Sequence, residues 1–173
     1  MEENKIMSPQ LKGIIISLII IVIGIAGYFT NLAYENWYNW VVNCILFIAI
    51  IFACIHYANQ KNGYVTFGNV FGHGFKVSAV VAIILLIYTI LSMTVLFPEA
   101  KEKIFEMQTT KMEERGMTQD QIDTAMNMVK KYFMLFLILG VILGTIIFGC
   151  IASLIGAAVA KKNKVGPFEQ VQS

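Results

Sequence analysis

Residues 132–160 read YFMLFLILGVILGTIIFGCIASLIGAAVA, a run of 29 residues without a charged side chain. Residues 13–34, 36–60 and 77–98 form three more uncharged runs, of 22, 25 and 22 residues. Each run can hold the roughly 20 apolar residues with which a helix crosses about 30 Å of hydrocarbon. The chain is therefore predicted to be all-α, an integral membrane four-helix bundle in a single domain over 1–173, with spans at about 10–30, 41–57, 77–97 and 132–160.

The overall composition supports the same interpretation. Of the 173 residues, 57% are hydrophobic and 14% are charged, against roughly 25% charged in an ordinary soluble domain. The net charge is only +2, and the basic residues are scattered, so no nucleic-acid partner is expected. The first run is longer than the apolar part of a signal peptide, and no small-x-small cleavage site closes it. We expect it to remain as a membrane anchor.

Small side chains recur at helical spacing in the first and fourth spans. Such stripes let two helix backbones approach closely inside a membrane. The fourth span carries a Gly140-x-x-x-Gly144 motif and a second small-residue series after it. The predicted helix-packing residues are Gly13, Ser17, Gly24, Gly140, Gly144, Gly149, Ser153 and Gly156. Packing within the chain and packing against a partner helix are both open at this stage.

Residues 58–76 are predicted to form an interfacial segment on the cytoplasmic side. Thr66 is a plausible N-cap, and the three phenylalanines that follow it at a spacing of four share one helical face. With a lysine beside them, they could contact a lipid headgroup, or they could simply lead into the third span. The residues concerned are Phe67, Phe71, Phe75 and Lys76.

Residues 99–131 form the one sizeable polar segment, and we predict an extracytoplasmic helical hairpin there. Gly116 divides the segment, and the Thr118 to Gln121 stretch matches a capping box that opens a second helix. The second arm would continue into the fourth span. The charged faces could dock a partner, or they could be solvated faces with local ion pairs. The candidate docking residues are Glu102, Glu106, Glu113 and Arg115.

The Lys and Arg residues of the short loops predict the orientation. The N-terminal tail has two, the first loop none, the second loop two and the C-terminal tail three. Because basic residues accumulate on the cytoplasmic side, both termini are expected there. The six in residues 99–131 are mostly interleaved with acids, so they are given less weight.

No interior of the four runs contains Asp, Glu, Lys or Arg. An enzyme or ion path within the membrane usually needs such a residue, so the chain is predicted not to be an enzyme, with no catalytic residue and no cofactor. His56, His73 and Cys54 lack further ligands at a recognisable spacing, and no metal site is predicted.

Three stretches carry a resemblance: Gly63-Tyr-Val-Thr-Phe-Gly68, the Pro98-Glu99 break, and residues 116–128, GMTQDQIDTAMNM. They resemble the uncharacterised four-helix membrane proteins of Bacteroidota, a domain of unknown function, over essentially the whole chain. In that family an Asp commonly precedes the proline, where this chain has Phe97. The resemblance implies an inner-membrane location, and genes of the family often lie near a membrane-associated family 2 glycosyltransferase, which implies an accessory role in envelope assembly.

The sequence and the resemblance are therefore compatible with two functions. The first is a non-enzymatic accessory or scaffold subunit of a larger envelope membrane complex, with another integral membrane protein and membrane lipids as partners. The second is a lipid-handling or small-molecule transport protein that acts as a homo-oligomer. In both cases the expected location is the bacterial inner membrane.

Overall fold

The computed structural model describes residues 6–163, and every regular element in that range is helical. The long helices are α1 (Pro9–Phe29), α2 (Asn36–Gln60), α3 (Phe67–Leu91), α4 (Glu99–Glu114) and α5 (Gln119–Val159). A short 3-10 turn at Leu32–Tyr34 joins α1 to α2. Four helices are long and apolar enough to cross a membrane: α1, α2, α3 with its extension to Leu96, and α5. The predicted fold class, a helical membrane bundle, is confirmed.

Polar side chains begin the first and third helices. The hydroxyl of Ser8 accepts a hydrogen bond from the Leu11 amide at 3.2 Å, with Pro9 at the first helical position. The hydroxyl of Thr66 accepts from the Asn69 amide at 3.2 Å, which confirms the predicted N-cap. Helix α3 then runs without a break to Leu91, so residues 67–76 form its first turns.

The third helix ends in a π-helical turn at Ser92–Leu96. The Phe97 amide donates to the Ser92 carbonyl at 2.8 Å, which closes this wider turn. Pro98 follows and has no amide hydrogen to continue the ladder. The helix therefore ends where the sequence predicts it.

The chain divides into two compact units. Within the described residues, the first unit comprises residues 6–84 and 144–163, and the second comprises residues 85–143. Helices α3 and α5 each contribute to both.

The helices of the first unit meet at glycines. An ideal Cβ placed on Gly13 of α1 would lie 2.7 Å from Val80 of α3. One placed on Gly156 of α5 would lie 2.7 Å from the Cβ of Cys54 in α2. Such short distances mean that the backbones approach too closely to admit a larger residue.

Gly74 occupies the centre of this packing. A Cβ there would meet the thiol of Cys54 on α2 and would lie 2.6 Å from the hydroxyl of Ser153 on α5. One turn along, Gly149 of α5 faces Ser78 of α3 in the same way. Three helices are thus held together by small residues, beside a buried apolar cluster made of Cys54, Ala58, Val65, Val70, Ala157 and Ala160.

Three of the predicted packing glycines lie elsewhere. A Cβ on Gly24, Gly140 or Gly144 meets no described atom within 4 Å. The small-residue spacing repeats along α5, but within the first unit it is Gly149, Ser153 and Gly156 that lie against α2 and α3. Within the described chain, the predicted close contact is therefore not formed at Gly24, Gly140 and Gly144.

The second unit contains the helical hairpin. Ala100 of α4 and Ile122 and Met126 of α5 are buried. The rings of Phe105 and Phe133 meet edge to face, with centroids 5.0 Å apart. Because α5 is one helix of 41 residues, the predicted second arm of the hairpin and the predicted fourth span are continuous.

Candidate functional site

Four helix ends of the first unit come together: the starts of α1 and α3 and the ends of α2 and α5. The Met7 amide donates to the side-chain oxygen of Gln60 at 3.3 Å. Asn163 donates from its amide to the Gly63 carbonyl at 2.8 Å and from its side chain to the Asn62 carbonyl at 2.7 Å. These bonds tie the α2–α3 turn to both ends of the described chain.

Lysines collect at this end of the first unit, which we call the lysine end. Its described members are Lys12, Lys61, Lys76, Lys161 and Lys162, and no carboxylate lies among residues 6–13, 56–76 and 157–163. The opposite end of the same unit, residues 28–40, has Glu35 as its one charged residue and carries two tryptophans and three tyrosines. The two ends therefore differ in charge and in aromatic content.

Lys12 is buried between α1 and α2. Its side chain is only 5% exposed. Its ammonium donates to the Ala53 carbonyl at 3.1 Å and lies 5.8 Å from the ring centre of Tyr57. Lys12 lies within the predicted span of about 10–30 and counts with the N-terminal tail in the predicted orientation, but its burial was not predicted. The helix starts at Pro9, so Lys12 belongs to the buried stripe that continues with Ile16 and Ile20, a spacing of four that the sequence does contain.

His73 is the second buried polar residue at this end, with 7% of its surface exposed. Its ring stacks on that of Tyr57, with centroids 4.1 Å apart and planes 11° apart. Its Nε2 atom is buried and has no hydrogen-bond partner among the described residues. A buried polar atom in this condition costs free energy, so His73 is a candidate functional group as well as a packing residue.

Nearby hydroxyl and thiol groups bond to backbone carbonyls. Ser17, Ser78 and Ser153 each donate to the carbonyl four residues earlier in their own helix, at 2.7, 3.0 and 2.6 Å. The thiol of Cys54 points to the Val70 carbonyl at 3.9 Å. These groups are satisfied locally, and within residues 6–163 no set of three or more His, Cys, Asp or Glu side chains is arranged to hold a metal ion.

The phenylalanine row lies on the first turns of α3. Neighbouring rings are 6.5 Å apart between Phe67 and Phe71 and 6.1 Å apart between Phe71 and Phe75. Phe71 packs against the buried cluster, whereas Phe67 and Phe75 are exposed. The ammonium of Lys162 lies 5.7 Å from the ring centre of Phe67, and Lys76 is exposed.

A groove of about 460 Å³ runs between α4 and α5 in the second unit. Three of the predicted docking residues, Glu102, Glu106 and Glu113, line it together. Arg115 does not line it, because it lies at the end of α4, where the helix has stopped. The remaining lining residues are Phe105, Thr109, Thr110, Met126 and Lys130.

Comparison with known protein families identifies one family whose profile matches most of the chain. The profile of a family described as "Protein of unknown function (DUF4199)" matches residues 12–162. The chain belongs to the DUF4199 family. None of the curated proteins or solved structures compared with this DUF4199 chain matches it. The predicted resemblance to a domain of unknown function is thus confirmed, while the origin in Bacteroidota and the inner-membrane location stay predictions.

The two sites of this DUF4199 protein offer different chemistry. The lysine end supplies ammonium groups and imidazoles beside apolar helix faces, a combination that suits an anion attached to an apolar body. The hairpin groove supplies carboxylates around an apolar floor, which suits a positively charged segment.

Proposed function

We propose that the protein is a non-enzymatic accessory or scaffold subunit of an envelope membrane complex, and that its helical hairpin docks another integral membrane protein. The observation that supports this is the convergence of Glu102, Glu106 and Glu113 on one groove. Glu102 and Glu106 are four residues apart and Glu113 is seven further on, so all three share a face of α4.

The composition of the groove favours a basic partner segment. Three carboxylates and one ammonium, that of Lys130, line it, and Phe105 and Met126 give it an apolar floor. A partner segment with lysine or arginine next to an apolar side chain matches both features. Long acidic side chains at the rim also raise the association rate of such a partner.

Charge reversal in the groove tests this proposal. A double variant, Glu102→Lys with Glu106→Lys, is compared with Glu114→Lys, an exposed residue of the same helix that does not line the groove. Proteins that co-purify with the natively expressed chain in mild detergent are quantified by mass spectrometry. We expect the stoichiometric partner to fall at least about tenfold in the double variant and to stay bound to Glu114→Lys. Equal recovery from all three proteins would refute docking in the groove.

The lysine end is proposed to face the cytoplasm, in a bacterial inner membrane. Basic residues accumulate on the cytoplasmic side, and the opposite end of the first unit carries Glu35 without any Lys or Arg in residues 28–40. Because α3 then crosses once, residues 99–131 would follow on the outer side. A Glu114→Cys protein, exposed and outside the groove, should react with a membrane-impermeant maleimide in intact cells, and a Lys61→Cys protein should react only after lysis, with the unsubstituted chain as background.

A second candidate function is lipid handling or small-molecule transport by a homo-oligomer. It is favoured by the open space around Gly140 and Gly144, where no described atom lies within 4 Å of a Cβ. A second copy could approach α5 closely along this motif. Substrate-dependent transfer by the purified protein in liposomes would support this function, and the accessory role predicts none.

A further inference from the structure

A groove of about 300 Å³ lies between α1 and α2 at the lysine end. Its two polar members are Lys12 and His56, near the start of α1 and the end of α2. The rest of its lining is apolar: Met7, Ile15, Ile16, Ala49, Phe52 and Ala53. Along both helices the polar residues stand nearer the helix end and Ile15, Ala49 and Phe52 stand deeper in the span. The groove is thus mostly apolar, with its two polar residues at one end.

Lys12 supplies a cation to this groove in a part of the unit that lacks anions. Its ammonium carries three donors, one of which bonds the Ala53 carbonyl at 3.1 Å. Glu35 is the sole carboxylate among residues 6–84 and 144–163. Glu35 directly precedes α2, which begins at Asn36. Ala53, whose carbonyl bonds Lys12, lies 17 residues further along the same helix, about 26 Å from its start.

A buried ammonium is stable when it is paired with an anion. The side chain of Lys12 is 5% exposed, and the groove is its route to a ligand. His56, which is exposed and lines the same groove, adds a second group able to donate to an anion. Because α1 and α2 are membrane spans, the molecules that reach this groove in quantity are lipids.

We propose that the groove binds one anionic phospholipid from the leaflet at the lysine end. The phosphate lies at Lys12 and His56, and one acyl chain lies along Ile15, Ala49 and Phe52. A zwitterionic lipid, whose headgroup carries a cationic group beside its phosphate, would match the apolar part of the groove. It would also bring a second cation toward Lys12. This inference concerns the first unit and does not depend on the docking role of the hairpin.

The test counts lipids bound to the purified full chain by native mass spectrometry. The protein is released from vesicles that contain equal amounts of phosphatidylglycerol and phosphatidylcholine with the same acyl chains. We expect one phosphatidylglycerol retained on the wild-type chain, with occupancy about tenfold lower in Lys12→Gln. Lys12→Arg keeps the charge and should keep most of the occupancy.

Two controls separate the groove from general surface attraction. Lys61→Gln removes an exposed charge of the lysine end that does not line the groove, and it should bind as the wild type does. Ala49→Phe fills the apolar part and should reduce occupancy, while Ile48→Phe places the same ring on the preceding residue, outside the groove, and should not.

Three results would overturn the proposal: undiminished binding by a folded Lys12→Gln protein, an equal loss in Lys61→Gln, or equal retention of both lipids by the wild type. If Lys12→Gln fails to fold, the comparison of the two lipids on the wild-type chain and the pair Ala49→Phe and Ile48→Phe decide the question by themselves. The partner experiment on the hairpin has a separate readout, so failure of one proposal is distinguishable from failure of the other.

Discussion

The imidazole of His73 lies flat against the phenol ring of Tyr57, with ring centroids 4.1 Å apart and an angle of 11° between the planes. This contact joins α3 to α2 beside the buried ammonium of Lys12. The same imidazole carries a buried Nε2 without a described hydrogen-bond partner. The stacking favours a flat ring at this position, and the unsatisfied nitrogen disfavours this particular ring.

Replacing His73 by Phe separates these two effects. Phenylalanine retains a flat ring against Tyr57 and removes the buried polar atom, whose desolvation costs about 1–3 kcal/mol. If His73 is only a packing residue, we expect His73→Phe to unfold at the same or a higher temperature in detergent than the wild type. His73→Ala loses the ring contact and should unfold at a lower temperature.

A clear loss of stability in His73→Phe would contradict this expectation. It would indicate that the buried nitrogen has a partner in solution and that His73 belongs to a binding site. The temperature of unfolding is therefore informative for function as well as for packing.

Two glycines of α3 provide a matched pair for helix packing. A Cβ on Gly74 meets Cys54 and Ser153, whereas a Cβ on Gly72 meets no described atom within 4 Å. Overpacking in Gly74→Ala should therefore lower the free energy of unfolding by about 1–3 kcal/mol. Gly72→Ala should leave the free energy of unfolding unchanged or raise it by up to about 1 kcal/mol, because alanine is the better helix former.

Chemical unfolding of the two variants in the same detergent measures this difference. Equal stability of Gly74→Ala and Gly72→Ala would show that the helices separate easily at Gly74. That result would contradict the close packing of α2, α3 and α5 described here.

The aromatic pair of the hairpin is expected to hold α4 against α5. The rings of Phe105 and Phe133 meet edge to face at 5.0 Å, a contact that contributes about 1 kcal/mol beyond the buried area. Phe105→Ala should increase local opening of the hairpin. Trypsin cleavage after Arg115, at the end of α4, should accelerate about fivefold or more.

Met128→Ala is the control for this prediction, because Met128 is an exposed residue of the same unit. It should be cleaved at the wild-type rate. A Phe105→Ala hairpin that resists trypsin as the wild type does would show that Ala100, Ile122 and Met126 hold α4 in place without the ring contact.

The spans could be predicted from sequence because a charge inside hydrocarbon is costly, so the uncharged runs mark them directly. The Thr66 cap was equally accessible, since the hydroxyl and the amide that it accepts from are three residues apart. The burial of Lys12 was not, because its partner carbonyl belongs to Ala53, 41 residues away. Lys12 stands at the edge of the first uncharged run, and spacing along α1 does not show that α2 covers it.

Glycine spacing predicts which residues share a helix face and not which face meets a neighbour. Gly74 was missed because its importance comes from Cys54 and Ser153, which belong to two other helices. Glu102, Glu106 and Glu113 share a face of α4 because of their spacing, whereas Arg115, predicted together with them, does not line the groove. The groove that they line needs α5 as its second wall, and sequence spacing gives no information about that wall.

Bulky residues at Gly140 and Gly144 distinguish internal packing from self-association. Neither position has a described atom within 4 Å of a Cβ, so Gly140→Ile with Gly144→Ile should leave the unfolding temperature of the isolated chain nearly unchanged. If a second copy packs along this motif, the same variant should shift the chain from oligomer to monomer, because isoleucine prevents close approach of the backbones. Light scattering coupled to size exclusion in mild detergent measures the mass of each form.

Gly149→Ile, at a contact with Ser78, is the opposite case and should destabilise the fold itself. An oligomer that survives the double variant would exclude this face of α5 as the interface, and a large fall in its unfolding temperature would instead show that Gly140 and Gly144 pack within one chain.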